Sequence, residues 1–168
     1  MFVANVTDHR LIGCLGKVDD PSDLLERLRA LGKGEVVLLD ADLVCGQEHI
    51  RSAVDHAERA FRYGTNSSDI LAMEIMLYAS GERQLAKARD KMSPKKGAER
   101  LALVCLGEPL SDHDLNALHL KRDDSVLAFS IGKAIALGVG EKEIASVPQH
   151  LVPDLVLERV AFVEVLKR

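Results

Sequence analysis

Arg83, Lys87 and Lys91 recur at i, i+4 and i+8, a spacing that places three cations along one ridge of a helix. Just before them, Ser80-Gly81-Glu82-Arg83-Gln84 reads as a polar turn, with Gly81 free to take the left-handed conformation that ends a helix. Cations beside a turn whose backbone can be approached closely could hold phosphates, with a base stacked on Arg83 or on Tyr63. Other chemistries find less support. Gly13-Cys14-Leu15-Gly16-Lys17 and Gly132-Lys133 have the glycines of a phosphate loop, but Val18 and Ala134 stand where the magnesium-binding hydroxyl belongs. His49 and His56 share a helix face at i and i+7, about 10 Å apart along the axis, too far for one metal ion. His113 between Asp112 and Asp114 reads as a solvated helix start, and no Ser-His-Asp or Cys-His signature supports nucleophilic catalysis. The chain therefore reads as a non-enzyme.

The segment that must position the turn is Arg62 to Gln84, an almost wholly apolar helix framed by polar ends. Thr65, Asn66, Ser67 and Ser68 offer N-cap oxygens and Asp69 a first-turn negative charge. Glu74 is the one charge inside. A lone carboxylate there needs a partner, either a structural ion pair or Arg83, which it would hold ready for a ligand.

Around this helix the periodicity predicts strands at Phe2 to Val6 and Leu11 to Val18, joined through Thr7, Asp8 and His9. A helix opens at Asp20-Pro21-Ser22, with Leu24, Leu25, Leu28 and Leu31 at helical spacing and Gly32 closing it. A buried strand spans Glu35 to Leu39, and an amphipathic helix spans Gly46 to Tyr63 with Ile50, Ala53, Val54, Ala57 and Phe61 on one face. Glu82 to Met92 is a helix, Ser93 to Gly97 a turn and Leu101 to Leu106 a buried strand. Ser111 to Leu118 reads as a short helix, Val126 to Phe129 as an edge segment, and Gly132 to Leu137 and Glu141 to Val147 as short helices broken at Gly138 and Gly140. Pro153 to Glu158 reads as a helical turn entering a strand at Val160 to Leu166. Without regular βαβ alternation these elements predict one α+β domain over residues 1–168, a small mixed, mostly antiparallel sheet with helices packed on it.

Composition fits that picture. With 168 residues, 47% hydrophobic and 29% charged, the chain can bury a core as a single domain. It lacks a signal-peptide start and any apolar run of about 18 residues, which points to a cytoplasmic protein with no membrane segment. Cys14, Cys45 and Cys105, odd in number and far apart, read as reduced core thiols rather than ligands. A net charge of -4 excludes a protein that coats nucleic acid, so any RNA site must be a local basic patch.

Glu74-Ile75-Met76-Leu77-Tyr78-Ala79-Ser80-Gly81-Glu82-Arg83-Gln84-Leu85 resembles the CGI-type small subunit of the KEOPS complex. Glu48 to Ala53, continuing to Ala60-Phe61, is similar to that family's long helix, and Asp154 to Ala161 to its C-terminal ending. The resemblance implies a subunit without catalytic residues or cofactor, in machinery that forms N6-threonylcarbamoyladenosine in tRNA. It further implies binding of the complex's kinase-like ATPase and of the single-stranded 3′ CCA end of tRNA. Carried onto this chain, the tRNA end falls near Asn66, Ser80, Gly81, Arg83, Gln84, Lys87 and Lys91, and the ATPase contact near Leu151, Val152 and Leu155. An adaptor exposes apolar surface that its partner covers, so an isolated copy is expected to be prone to self-association. Two other readings stay open: a small-molecule enzyme or sensor built around Glu74, Arg83 and Gln84, and a dimerisation module with no RNA affinity.

Overall fold

The computed structural model describes residues 9–167. Four strands, β1 (Arg10–Leu15), β2 (Val36–Asp40), β3 (Arg100–Cys105) and β4 (Lys121–Arg122), form a sheet in the order β2-β3-β1-β4. Every pairing is antiparallel, so the expected mixed sheet is wholly antiparallel. The expected strand at Phe2 to Val6 lies outside the described residues.

Alternation along β3 explains the layers. Leu101, Leu103 and Cys105 point to one face, where α1 (Pro21–Ala30) and α5 (Asp112–Ala117) cover them with Leu24, Leu28 and Leu115. Ala102 and Val104 point to the other, larger core, built from α2 (Gln47–Tyr63), α3 (Leu71–Ser80), α4 (Leu85–Met92), α6 (Ile131–Leu137) and α8 (Val152–Leu166). The short α7 (Glu141–Ala145) packs against α8. The glycines of the Gly13 to Lys17 segment serve this packing. A Cβ at Gly13 would meet the Asp123 carbonyl oxygen at 2.6 Å, and one at Gly16 would meet Leu120 at 2.5 Å. Lys133, of the second glycine-lysine pair, donates to the carbonyls of Val44 (2.9 Å) and Val126 (2.6 Å). Both pairs therefore belong to the architecture.

Three expectations are corrected. Val160 to Leu166 is not a strand: α8 is one continuous helix from Val152, started by Pro153. Its Val152, Val156, Val160 and Val163 are all buried and recur at helical spacing, and this stripe overrides the β preference of valine. Val126 to Phe129 is not an edge strand, because residues 124–127 form a 3-10 turn capped by Asp123. The helix after the central one begins at Leu85 rather than Glu82.

The three cysteines are free and buried, as expected. Burial pushes Cys14 up to about 12 and Cys45 up to about 11, so both stay protonated thiols at neutral pH. His113 sits in the first turn of α5, where Ser111 and Asp114 form a reciprocal cap. No described helix is long and apolar enough to cross a membrane, and no cluster of three metal-ligating side chains occurs among the described residues.

Candidate functional site

α3 is the central helix, and eight of its ten residues are buried. Its start is not capped by Thr65, Asn66 or Asp69. The Glu74 carboxylate folds back instead, accepting from the amides of Ser67 (3.0 Å) and Ser68 (2.9 Å) and from Lys167 Nζ at 2.7 Å. With Glu74 0% exposed, this is the structural ion pair, made with a residue at the far end of the chain. It does not orient Arg83, which follows the opposite end of the helix. Lys167 also lies 4.6 Å above the Tyr78 ring, while His56 stacks on that ring at 5.4 Å and the Tyr78 hydroxyl donates to Glu164. Burial first, and then that hydrogen bond, raise Tyr78 above its ordinary pKa. Together these contacts tie α8 to α2 and α3.

The C-terminal end of α3 is the candidate site. Gly81 caps it in the left-handed region at φ 72°. Ser80 donates from Oγ to the Leu77 carbonyl at 2.7 Å and accepts from the Glu82 amide at 3.0 Å. Its hydroxyl is buried and committed to shaping the turn. Behind the turn, His49 accepts at Nδ1 from the Cys45 amide (2.9 Å) and approaches the Ala79 carbonyl through Nε2 (2.8 Å). Burial lowers this imidazole to about 4, so it stays neutral and holds the end of α3 in place.

Arg83, Gln84 and Lys87 are exposed together around this turn. Lys91 is not part of the open ridge: its ammonium donates to the Ser80 carbonyl at 2.9 Å and pairs with Glu82 at 3.4 Å. Because Arg83 precedes α4, the three-cation ridge becomes a turn arginine, one exposed helix lysine and one lysine folded back. Asn66 is separated from the rest, since α3 places roughly 15 Å of helix between it and Gly81. Its amide donates to the Ser68 carbonyl instead, at 3.0 Å.

Sequence reasoning missed Arg159 as part of this site. A Cβ at Gly81 would lie 3.7 Å from that of Arg159, and one at Gly138, itself at φ 119°, would lie 3.7 Å from Arg159 Nη1 and 3.8 Å from Lys91 Nζ. Arg159 pairs with Glu143 at 3.4 Å, and its buried Nε has no hydrogen-bond partner. Two cations therefore converge behind the Gly81 turn, Arg159 held by one long ion pair and Lys91 by a long ion pair and the Ser80 carbonyl.

Beside them opens a groove of about 320 Å³ lined by Gly81, Leu155, Arg159, Phe162 and Leu166 together with the acidic Glu143 and Glu158. Here the expected partner contacts divide. Leu151 is exposed, but Val152 and Leu155 are 1% and 8% exposed and belong to the core, because they lie on the inward stripe of α8. The exposed apolar residues of α8 are Phe162 (55%), Val165 (59%) and Leu166, at i, i+3 and i+4 on one face. That spacing was the available signal, hidden by reading the segment as a strand.

The comparisons with known proteins bear on the Gly81 turn and not on α8, which lies beyond the matched residues. No curated protein matches the chain. A family described as kinase binding protein CGI-121 matches residues 16–144, more than half of the sequence, including the whole of α3 and the Gly81 turn. The chain therefore belongs to the CGI-121 family of kinase binding proteins.

Proposed function

We propose that this protein is a non-catalytic accessory subunit of a KEOPS-type complex. It docks on the kinase-like ATPase through the outer face of α8 and receives the 3′ CCA end of tRNA at the Gly81 turn. The observation that carries this reading is that Phe162 and Leu166 of the exposed α8 face share one groove with Gly81 and Arg159, next to the turn that bears Arg83.

An uncovered apolar stripe on a well-packed helix suits a protein partner. The family's description as kinase binding supports a kinase as that partner. Arg83 and Lys87 supply charge-assisted contacts to phosphates, and the left-handed Gly81 lets a nucleotide approach the backbone. Lys91 and Arg159 add positive potential behind the turn. The ion pair of Arg159 with Glu143, at 3.4 Å, is long enough to yield to a phosphate, whereas Lys91 stays anchored on the Ser80 carbonyl. Single aromatics rather than a platform limit the bound strand to a few nucleotides.

Titration of the kinase-like ATPase with wild-type and Phe162→Glu/Val165→Glu protein tests the docking arm. The double variant is expected to bind at least about a hundredfold more weakly, as removal of two central apolar anchors requires. Thermal unfolding should be unchanged, since both side chains are exposed. Full ATPase binding by the double variant would refute α8 as the docking face.

A further inference from the structure

We infer that the open edge of β2 is a docking site for an extended polypeptide segment of another protein, which joins the sheet as an added strand. The register determines which backbone groups are free. The Leu106 amide donates to the Glu35 carbonyl at 3.0 Å, so Glu35, Val37 and Leu39 turn their amides and carbonyls toward β3. Val36 and Leu38 must then turn theirs outward, and no hydrogen bond from a described residue reaches them.

This edge is the floor of a groove of about 370 Å³. Pro21, Leu25 and Arg29 of the α1 side form one wall; Ile70, Met73 and Met76 of the α3 side form the other. An added strand would place alternate side chains against those two apolar walls.

The recess decides between occupants. Val36 and Leu38 are only 3% and 5% exposed although they lie on an edge, because helices flank the strand on both faces. A single extended segment fits between such walls. The β2 edge of a second copy would bring its own walls and collide. Charge narrows the occupant further. Arg29 is paired with Glu35 at 3.2 Å, while Arg89, Lys95 and the Asp90 carboxylate have no ion-pair partner among the described residues, so the charged lining keeps one positive charge in excess. The structure thus favours an apolar extended segment carrying an acidic residue beside Arg89. The groove shares no lining residue with the one at α8, so this inference stands apart from the proposed kinase and tRNA surfaces.

The test uses the full-length chain, labelled with nitrogen-15, and a pool of blocked heptapeptides. Each peptide carries Val, Ile, Leu or Phe at its even positions, threonine between them and glutamate at both ends. Binding should slow amide exchange at Val36 and Leu38 by at least about tenfold, the worth of one net hydrogen bond, while Val37 and Leu39, already bonded to β3, stay unchanged. N-methylating the peptide amides in one alternating phase should weaken binding about tenfold, and in the other phase not at all. Arg89→Glu and Ile70→Glu, both at exposed positions, should each weaken it without lowering the unfolding temperature. No slowing at Val36 and Leu38 with any peptide of the pool, or equal loss with both methylation phases, would overturn the proposal. Protection that grows with protein concentration in the absence of peptide would overturn it too, in favour of a second copy.

Discussion

Glu74 and His49 show how single buried polar groups hold the candidate site. Glu74 satisfies two amides at the start of α3 and the Lys167 ammonium, so removing either partner strands a charge in the core. Lys167→Met is expected to destabilise the fold by about 3 kcal/mol, read as a lower urea midpoint, because breaking one half of a buried pair costs far more than the pair contributes. An unchanged midpoint would show that the amides alone satisfy Glu74. His49 gives a pH dependence with a definite sign. Folded, its pKa is about 4; its ordinary value is 6.5, so between these the unfolded chain binds a proton that the folded chain refuses. Stability is full above pH 6.5 and falls as pH drops toward 4, by up to about 3 kcal/mol. The cause is geometric as well as dielectric: a proton on Nδ1 would face the Cys45 amide, already a donor. Urea unfolding at pH 7 and pH 4.5 should show this loss in the wild type and a smaller one in His49→Gln. Equal losses would assign the acid sensitivity elsewhere, His9 and His56 being the other imidazoles held low by burial. A structural ion pair was one of two readings of Glu74 in sequence, but its partner Lys167, 93 positions away, was not legible, nor was the role of His49, whose partner Ala79 lies 30 positions away.

At the scale of elements, α3 and its turn were readable because an apolar run ending at glycine has one economical interpretation, a buried helix with a left-handed cap. Gly81→Ala should cost about 1 to 2 kcal/mol from backbone strain alone, since a Cβ there meets only ordinary contacts. Thermal unfolding measures that cost, and no change would contradict the left-handed cap. α8 was misread because five valines in fifteen residues favour a strand when judged locally. The stripe of Val152, Val156, Val160 and Val163 shows that the period, and not the residue type, carried the information. Val152 and Leu155, assigned to the partner contact from the resemblance, lie on that inward stripe. Likewise, counting Arg83 into a helix made a three-cation ridge of residues that the structure divides between the turn, the surface of α4 and a contact with Ser80.

At the scale of the molecule, the described residues form a four-stranded antiparallel sheet with a small core on one face and a large one on the other, closed by α8. Its organisation concentrates the proposed functions at one end of the larger layer. There the last helix offers an apolar stripe, and the central helix ends in a turn bordered by cations. The acidic net charge keeps nonspecific RNA binding weak, so the proposed tRNA binding rests on a local patch at that end. Arg83→Ala/Lys87→Ala should therefore weaken tRNA binding and reduce the slope of log K against log salt by about 0.7 per lost phosphate contact, with ATPase binding retained. An unaltered slope would remove these two residues from the site. The most direct measurement compares binding of the purified protein to intact tRNA and to the same tRNA trimmed of its 3′ CCA. The account predicts a selective loss on trimming, and equal affinity for the two tRNAs would contradict it.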